Sequence, residues 1–256
     1  MTVFRRLLWR ISKRSRRSIS LTYTRCFWTD QTAMKPDKEG TIRISPTQPT
    51  AAVIFAHGLG DTASGWASTM HKLSRSLPHI QFVLPTAKTQ PVTLNMGMKM
   101  PSWYDITSFS SREHQEAKGI ENSQFRLGRL IEEQVANGIP LHRIVLGGFS
   151  QGAALSIFTG LQYPKKLGGV LVLSGYLPKR EAFHMSQVSK DIPILMCHGE
   201  MDPVVRFEWG KLTKEALESC KARNIQFKAY PYLEHSSSEE EIKDVIDWLQ
   251  NVLPIE

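Results

Sequence analysis

Gly147-Gly148-Phe149-Ser150-Gln151-Gly152-Ala153-Ala154 is the stretch on which the reading of this chain turns. An apolar run at 143–146 leads into it and another at 153–158 leaves it, so the local pattern is strand, sharp turn, helix, with Ser150 at the turn. The spacing G-x-S-x-G is that of a nucleophile elbow, in which a serine is held in a strained conformation that only small residues two before and two after it accommodate. Five positions alone say little, because chance supplies the pattern in about one such sequence in ten at ordinary glycine usage. The strand before it and the helix after it raise it above that background.

Working outward, the periodicity predicts strands over 52–56, 80–84, 143–146, 169–173, 192–197 and 225–230, with a short edge strand over 41–44. Helices are expected over 66–77, 117–137, from 151 onward, over 205–223 and over 239–252, while 85–112 reads as one long irregular stretch. Strands apolar on both faces and alternating with helices predict an α/β fold: a mostly parallel sheet covered by helices on both sides. At 256 residues nothing forces a second domain, and the expected boundary separates an arm, 1–40, from a single domain, 41–256.

The net charge of +8 belongs to the arm. Residues 1–29 hold eight Lys or Arg and no acid, which leaves 24 basic against 24 acidic side chains in the remainder, so the body has zero formal net charge and no nucleic-acid partner is expected. The arm is also Ser-rich and sets Phe4, Leu7, Leu8 and Ile11 on one helical face. That composition fits a mitochondrial transit peptide within 1–30, a helix lying on an anionic membrane, or a disordered extension. Three scattered cysteines, Cys26, Cys197 and Cys220, make no disulfide framework and favour a reducing, cytoplasmic setting. No run approaches the eighteen or so apolar residues of a membrane span.

Partners for Ser150 follow from position. In such sheets functional groups collect beyond the C-terminal ends of the strands, and an elbow serine is followed along the chain by an acid and then a histidine. After Ser150 stand His184, His198 and His235, and only His235 is preceded by an acid beyond the end of a strand. Asp191 stands at the start of its strand, whereas Asp202 follows the 192–197 strand in the turn Gly199-Glu200-Met201-Asp202-Pro203. Ser150, Asp202 and His235 are therefore the expected catalytic set: nucleophile, orienting acid and general base.

An oxyanion requires backbone N–H donors. Gln151, directly after the nucleophile, supplies one, and Leu59, in the glycine turn His57-Gly58-Leu59-Gly60 after the first buried strand, is the expected second. Within the long irregular stretch, Leu94, Met96, Met98 and Trp103 are expected to bind substrate as a soft apolar lining for a flexible chain. No H-E-x-x-H, P-loop or G-x-G-x-x-G signature is present, so no metal or cofactor is expected.

Four segments carry a resemblance: HGLGDTASGW at 57–66, PVTLNMGMKMPSWYDI at 91–106, GGFSQGAALS at 147–156 and HGEMDPVV at 198–205. In this order they closely resemble the acyl-protein thioesterases, also described as lysophospholipase or carboxylesterase type proteins, from about residue 50 to the C-terminus. The resemblance implies an α/β-hydrolase without a large lid that removes S-acyl groups, such as palmitoyl, from proteins through an acyl-serine. It also implies some activity on lysophospholipids and simple esters. The family's triad falls on Ser150, Asp202 and His235, and its oxyanion donors on Leu59 and Gln151. Two departures stand out: position 2 is Thr where relatives carry an acylated cysteine, and Ala63-Ser64 replaces the usual Gly-His. A lysophospholipase or general carboxylesterase using the same triad, and a non-catalytic adaptor docked to membranes by its basic arm, are the competing readings. Oligomeric state is not legible.

Overall fold

The computed structural model describes residues 35–108 and 116–255. The basic arm therefore lies outside the described residues up to 34, including the expected Phe4, Leu7, Leu8 and Ile11 face and Cys26. Described residues of the arm already lie against the domain: Thr86 N–H donates to Gly40 O, and an Arg126 guanidinium N–H donates to Glu39 O.

Seven strands form one sheet: β1 (Ile42–Ile44), β2 (Ala51–Ala56), β3 (Ile80–Leu84), β6 (Ile144–Phe149), β7 (Gly169–Leu173), β8 (Ile194–Gly199) and β9 (Ile225–Tyr230), in the order β1-β3-β2-β6-β7-β8-β9. All neighbours are parallel except β1, which runs antiparallel to β3 as an edge strand. Among the described residues the α-helices are α1 (Ala63–Ser76), α2 (Ile120–Ala136), α3 (Gln151–Gln162), α4 (Phe207–Ser219) and α5 (Glu239–Val252). Alternate side chains of β2 serve different cores. Ala52, Ile54 and Ala56 pack with α2, α3 and α4, whereas Ala51, Val53 and Phe55 pack with α1 and α5. Burial on both faces is why these strands read as unbroken apolar runs. The expected α/β class, without a large lid, is what is found.

The sheet order puts a crevice where it matters. From β2 the chain winds outward to β3, then crosses to β6 on the other side of β2, so the loops leaving β2 and β6 diverge at their C-terminal ends. The turn at 57–60 and Ser150 flank that crevice.

Several boundaries differ from the periodicity. β6 runs on through Gly147, Gly148 and Phe149, because parallel pairing to β2 and β7 supplies the order that two glycines lack by themselves. β8 begins at Ile194, past Pro193, which has no N–H to give the ladder and contributes only its carbonyl, to Val170. α1 starts at Ala63, three residues early, and α4 spans only Phe207–Ser219. The stretch expected to be irregular contains a hairpin, β4 (Thr89–Val92) against β5 (Met98–Pro101), turning through Met96 and Gly97 at positive φ. Of Leu94, Met96, Met98 and Met100, which recur at every second residue, only Met98 and Met100 lie in a strand, because Leu94 sits in a 3-10 turn and Met96 in the left-handed region; Pro91 is accommodated in β4 because one side of each strand of a two-stranded ribbon makes no ladder bond.

Candidate active site

Ser150 follows β6 with φ 55° and ψ −119°, a conformation that costs a non-glycine residue energy and is held by its surroundings. Its N–H donates to Leu173 O and its carbonyl accepts from Ala154 N–H. The two glycines of the motif are steric necessities. A Cβ on Gly148 would lie 2.4 Å from the Gly152 carbonyl carbon, and one on Gly152 would lie 2.1 Å from Ala56 O.

The loops after β8 and β9 bring the partners in. Glu200 N–H donates to Tyr230 O and Met201 N–H to Leu233 O, so the two loops run together. Gly199 permits this, since a Cβ there would sit 2.0 Å from Leu233 O. His235 Nε2 then lies 2.9 Å from Ser150 Oγ, and His235 Nδ1 lies 2.7 Å from Asp202 Oδ2. Phe149 packs against the imidazole at 4.7 Å between ring centroids. Asp202 Oδ1 accepts the N–H groups of Val204 and Val205, both at 2.8 Å. Burial pushes the Asp202 carboxyl up, but the hydrogen bond and charge of His235, with those two N–H groups, outweigh it and hold the group below its ordinary value. An ionised carboxylate only accepts, so Nδ1 carries the proton and Nε2 is free to accept from Ser150.

The other sequence candidates fall elsewhere. His198 is buried behind Asp202, its Nε2 2.7 Å from Val205 O, and burial pushes its pKa down. His184 is exposed, and Asp191 pairs with Arg223. Burial likewise pushes the thiol of Cys197, a residue of β8, up and leaves it inert. Among the described residues no group of three or more His, Cys, Asp or Glu is arranged to hold a metal ion.

Gln151 begins α3, so its N–H is one of the helix's first donors and has no intrahelical acceptor. Leu59 lies with Ser150 and His235 on the wall of one cleft of about 470 Å³, and its N–H has no acceptor among the described residues. The turn packs closely here: a Cβ on Gly58 would lie 3.3 Å from Phe149 Cδ1, a tight contact, and 3.4 Å from Ser150 Cβ, an ordinary one. The expected apolar lining divides. Leu94 lines the cleft, with Asn95, Trp66 and Phe149 beside it. Met96 is 92% and Met98 57% exposed, because the hairpin turns their side chains outward, and Trp103 is buried in the core rather than in the cleft wall. Asn95, Trp66 and the side chain of Gln151 carried no sequence signal of their own. Two larger grooves, of about 810 and 780 Å³, run along α2 and contain none of Ser150, Asp202 and His235.

The phospholipase/carboxylesterase family model matches residues 39–253, which covers most of the chain. The chain belongs to this family. Yarrowia lipolytica acyl-protein thioesterase 1 is 44% identical over 209 residues, 78% of this chain and 91% of that protein. Dictyostelium discoideum acyl-protein thioesterase 1 homolog 1 is 44% identical over 220 residues, 85% of this chain and 97% of that protein. The crystal structure of Zea mays acyl-protein thioesterase 2 superposes with a TM-score of 0.76 at 30% identity, covering 83% of this chain and 98% of that one. Membership makes the chain a serine hydrolase of the α/β-hydrolase fold. Among the described residues no helix is long and apolar enough to cross a membrane.

Proposed function

We propose that this phospholipase/carboxylesterase family member removes S-acyl groups from proteins by thioester hydrolysis through an acyl-Ser150 intermediate. The reading is carried by the hydrogen-bonded line from Ser150 Oγ through His235 to Asp202, at 2.9 and 2.7 Å. Relatives named acyl-protein thioesterase, at 41–44% identity, support the thioester as the bond cleaved.

In the first half-reaction Ser150 Oγ attacks the thioester carbonyl carbon while its proton passes to His235 Nε2. The carbonyl oxygen becomes an oxyanion that accepts from the N–H groups of Leu59 and Gln151, the latter reinforced by the positive end of α3. As the C–S bond breaks, the cysteine thiol of the substrate protein leaves with the proton of His235. Water then attacks the acyl-serine, giving its proton to His235, and the tetrahedral intermediate collapses to the fatty acid and free Ser150. Asp202 keeps the imidazole in the tautomer this requires and stabilises the imidazolium. Leu94 supports apolar contact for the first carbons of the chain. The cations of residues 1–29, without an acid among them, support contact of the arm with an anionic membrane, where lipidated proteins reside.

Labelling with a fluorophosphonate tests the nucleophile: wild type is expected to label, Ser150→Ala not at all, and label retained in Ser150→Ala refutes the assignment. Parallel hydrolysis of a palmitoylated peptide and a lysophospholipid tests the substrate. A higher kcat/KM for the lipid ester would transfer the reading to the phospholipase activity in the family's description.

A further inference from the structure

Trp103 lies outside the cleft yet reaches both sides of it. It stands two residues past β5, 1% exposed, with its ring centroid 5.0 Å from that of His57. Its two N–H groups point to different elements: the main-chain N–H donates to Gln151 Oε1 at 3.0 Å, and the indole Nε1–H donates to His57 O at 2.8 Å. Gln151 completes the bracket by donating from Nε2 to Ser102 Oγ at 3.0 Å and to Tyr104 O at 2.7 Å. His57 is locked as well. Ala87 N–H donates to His57 Nε2 at 2.9 Å, so the ring proton is on Nδ1, which donates to Gly58 O at 2.6 Å. Burial pushes the His57 pKa down against the raising influence of the Gly58 carbonyl and Asp61, and so keeps this neutral form. The bonds that begin at Gln151 thus end at Gly58, one residue before Leu59.

We infer that Trp103 is a positioning residue that sets the distance between the Leu59 and Gln151 N–H groups, and thereby the fit of the oxyanion between them. The inference rests on the acyl-serine reading. Those two donors belong to separate elements, the turn after β2 and the first turn of α3. Contact of Gly152 with Ala56 O joins these elements at one edge, and Trp103 joins them at the other. An oxyanion donor acts only within about 2.7–3.1 Å of the developing charge, so a small drift weakens the transition state more than the bound substrate. Loss of the strut should therefore appear in kcat and not in KM.

The test is Trp103→Phe in the full chain, which keeps an aromatic ring but leaves His57 O without its donor. Three quantities are read well below the melting midpoint: kcat and KM on an acyl thioester, and Ki of an alkyl trifluoromethyl ketone, which adds to Ser150 as an oxyanion-bearing hemiketal. The expected result is a fall of tenfold or more in kcat, KM within twofold, and a rise in Ki matching the loss in kcat. Should the phenylalanine variant fold poorly, 3-benzothienylalanine at position 103, with sulfur in place of the N–H at nearly the same shape, must give the same kinetic loss. Unchanged kcat and Ki, a loss confined to KM, or a fall in kcat without a change in Ki each overturns the inference, whatever the melting midpoint does. A wild-type chain that neither labels nor hydrolyses acyl esters removes the acyl-serine reading and this inference together. An active wild type with an insensitive Trp103 removes this inference alone.

Discussion

Replacing Gly152 by Ala adds one methyl group at the tightest contact of the elbow. That Cβ would lie 2.1 Å from Ala56 O, 2.4 Å from Ala56 C and 2.5 Å from His57 O, all backbone atoms of β2 and its following turn. Contacts of this kind do not fall below 3.0 Å, so the start of α3 must retreat from the turn by about 0.9 Å. Ser150 and Gln151 ride on α3, whereas Leu59 stays with the turn after β2, so the retreat separates Ser150 and the Gln151 N–H from the Leu59 N–H, the groups the proposed reaction brings together. A misplacement near 1 Å costs roughly 100-fold in rate, or about 2.7 kcal/mol of barrier. Overpacking adds about 1–3 kcal/mol of destabilisation, which the better helix propensity of Ala offsets by no more than about 1 kcal/mol. The assay is kcat on a soluble acyl thioester, with the melting midpoint recorded alongside. Gly128→Ala is the control: it lies inside α2 with nothing within 4 Å of an added Cβ, and should leave kcat unchanged while stabilising by about 1 kcal/mol. A Gly152→Ala enzyme within threefold of wild type in kcat would refute the steric account of the elbow.

Two further outcomes follow from the site's surroundings. Leu94→Asn should cut kcat/KM for a long-chain thioester roughly tenfold, near the low end of one buried leucine's contribution, and leave an acetyl thioester within twofold, whereas Met98→Asn should alter neither in a soluble assay; equal effects at both positions would show that Leu94 does not touch the chain. Glu241 is buried in the first turn of α5 with neither carboxylate oxygen hydrogen-bonded among the described residues, and burial, with Asp244 adding to it, pushes its carboxyl up to about 8. Between about pH 4.3 and 8 the folded chain keeps a proton that the unfolded chain has released, so stability falls as pH rises through that window, by up to about 1.4 kcal/mol per unit. Glu241→Gln should flatten this slope in urea unfolding, its advantage over wild type greatest near pH 8 and gone near pH 4; parallel slopes would refute the buried-acid account.

Much of this was readable from the chain because it is local. The elbow needs only a strand, two glycines and a helix in succession, and the strands are apolar runs because both faces are covered. Chain order and strand ends point to Asp202 and His235, and the structure places them 2.7 Å apart with His235 2.9 Å from Ser150. The length of β6 was not legible, since Gly147 and Gly148 have little strand preference and owe their order to β2 and β7 on either side.

The sequence by itself determined the fold class and the strand, turn and helix around Ser150, since both rest on periodicity and steric demands within a few residues. Only the tertiary structure decided which of Leu94, Met96, Met98 and Trp103 meets the cleft. Sequence spacing does not tell that Leu94 falls in the turn of the hairpin and faces the cleft while Met96 and Met98 face solvent, and the place of Trp103 is set by the bonds tying the segment after β5 to His57 and Gln151, 46 and 48 residues away. Trp103 looks like a substrate contact in sequence for the same reason that it is a strut in space: a large ring with one donor serves either role, and the partner of that N–H, a carbonyl brought to it by the fold, makes the choice.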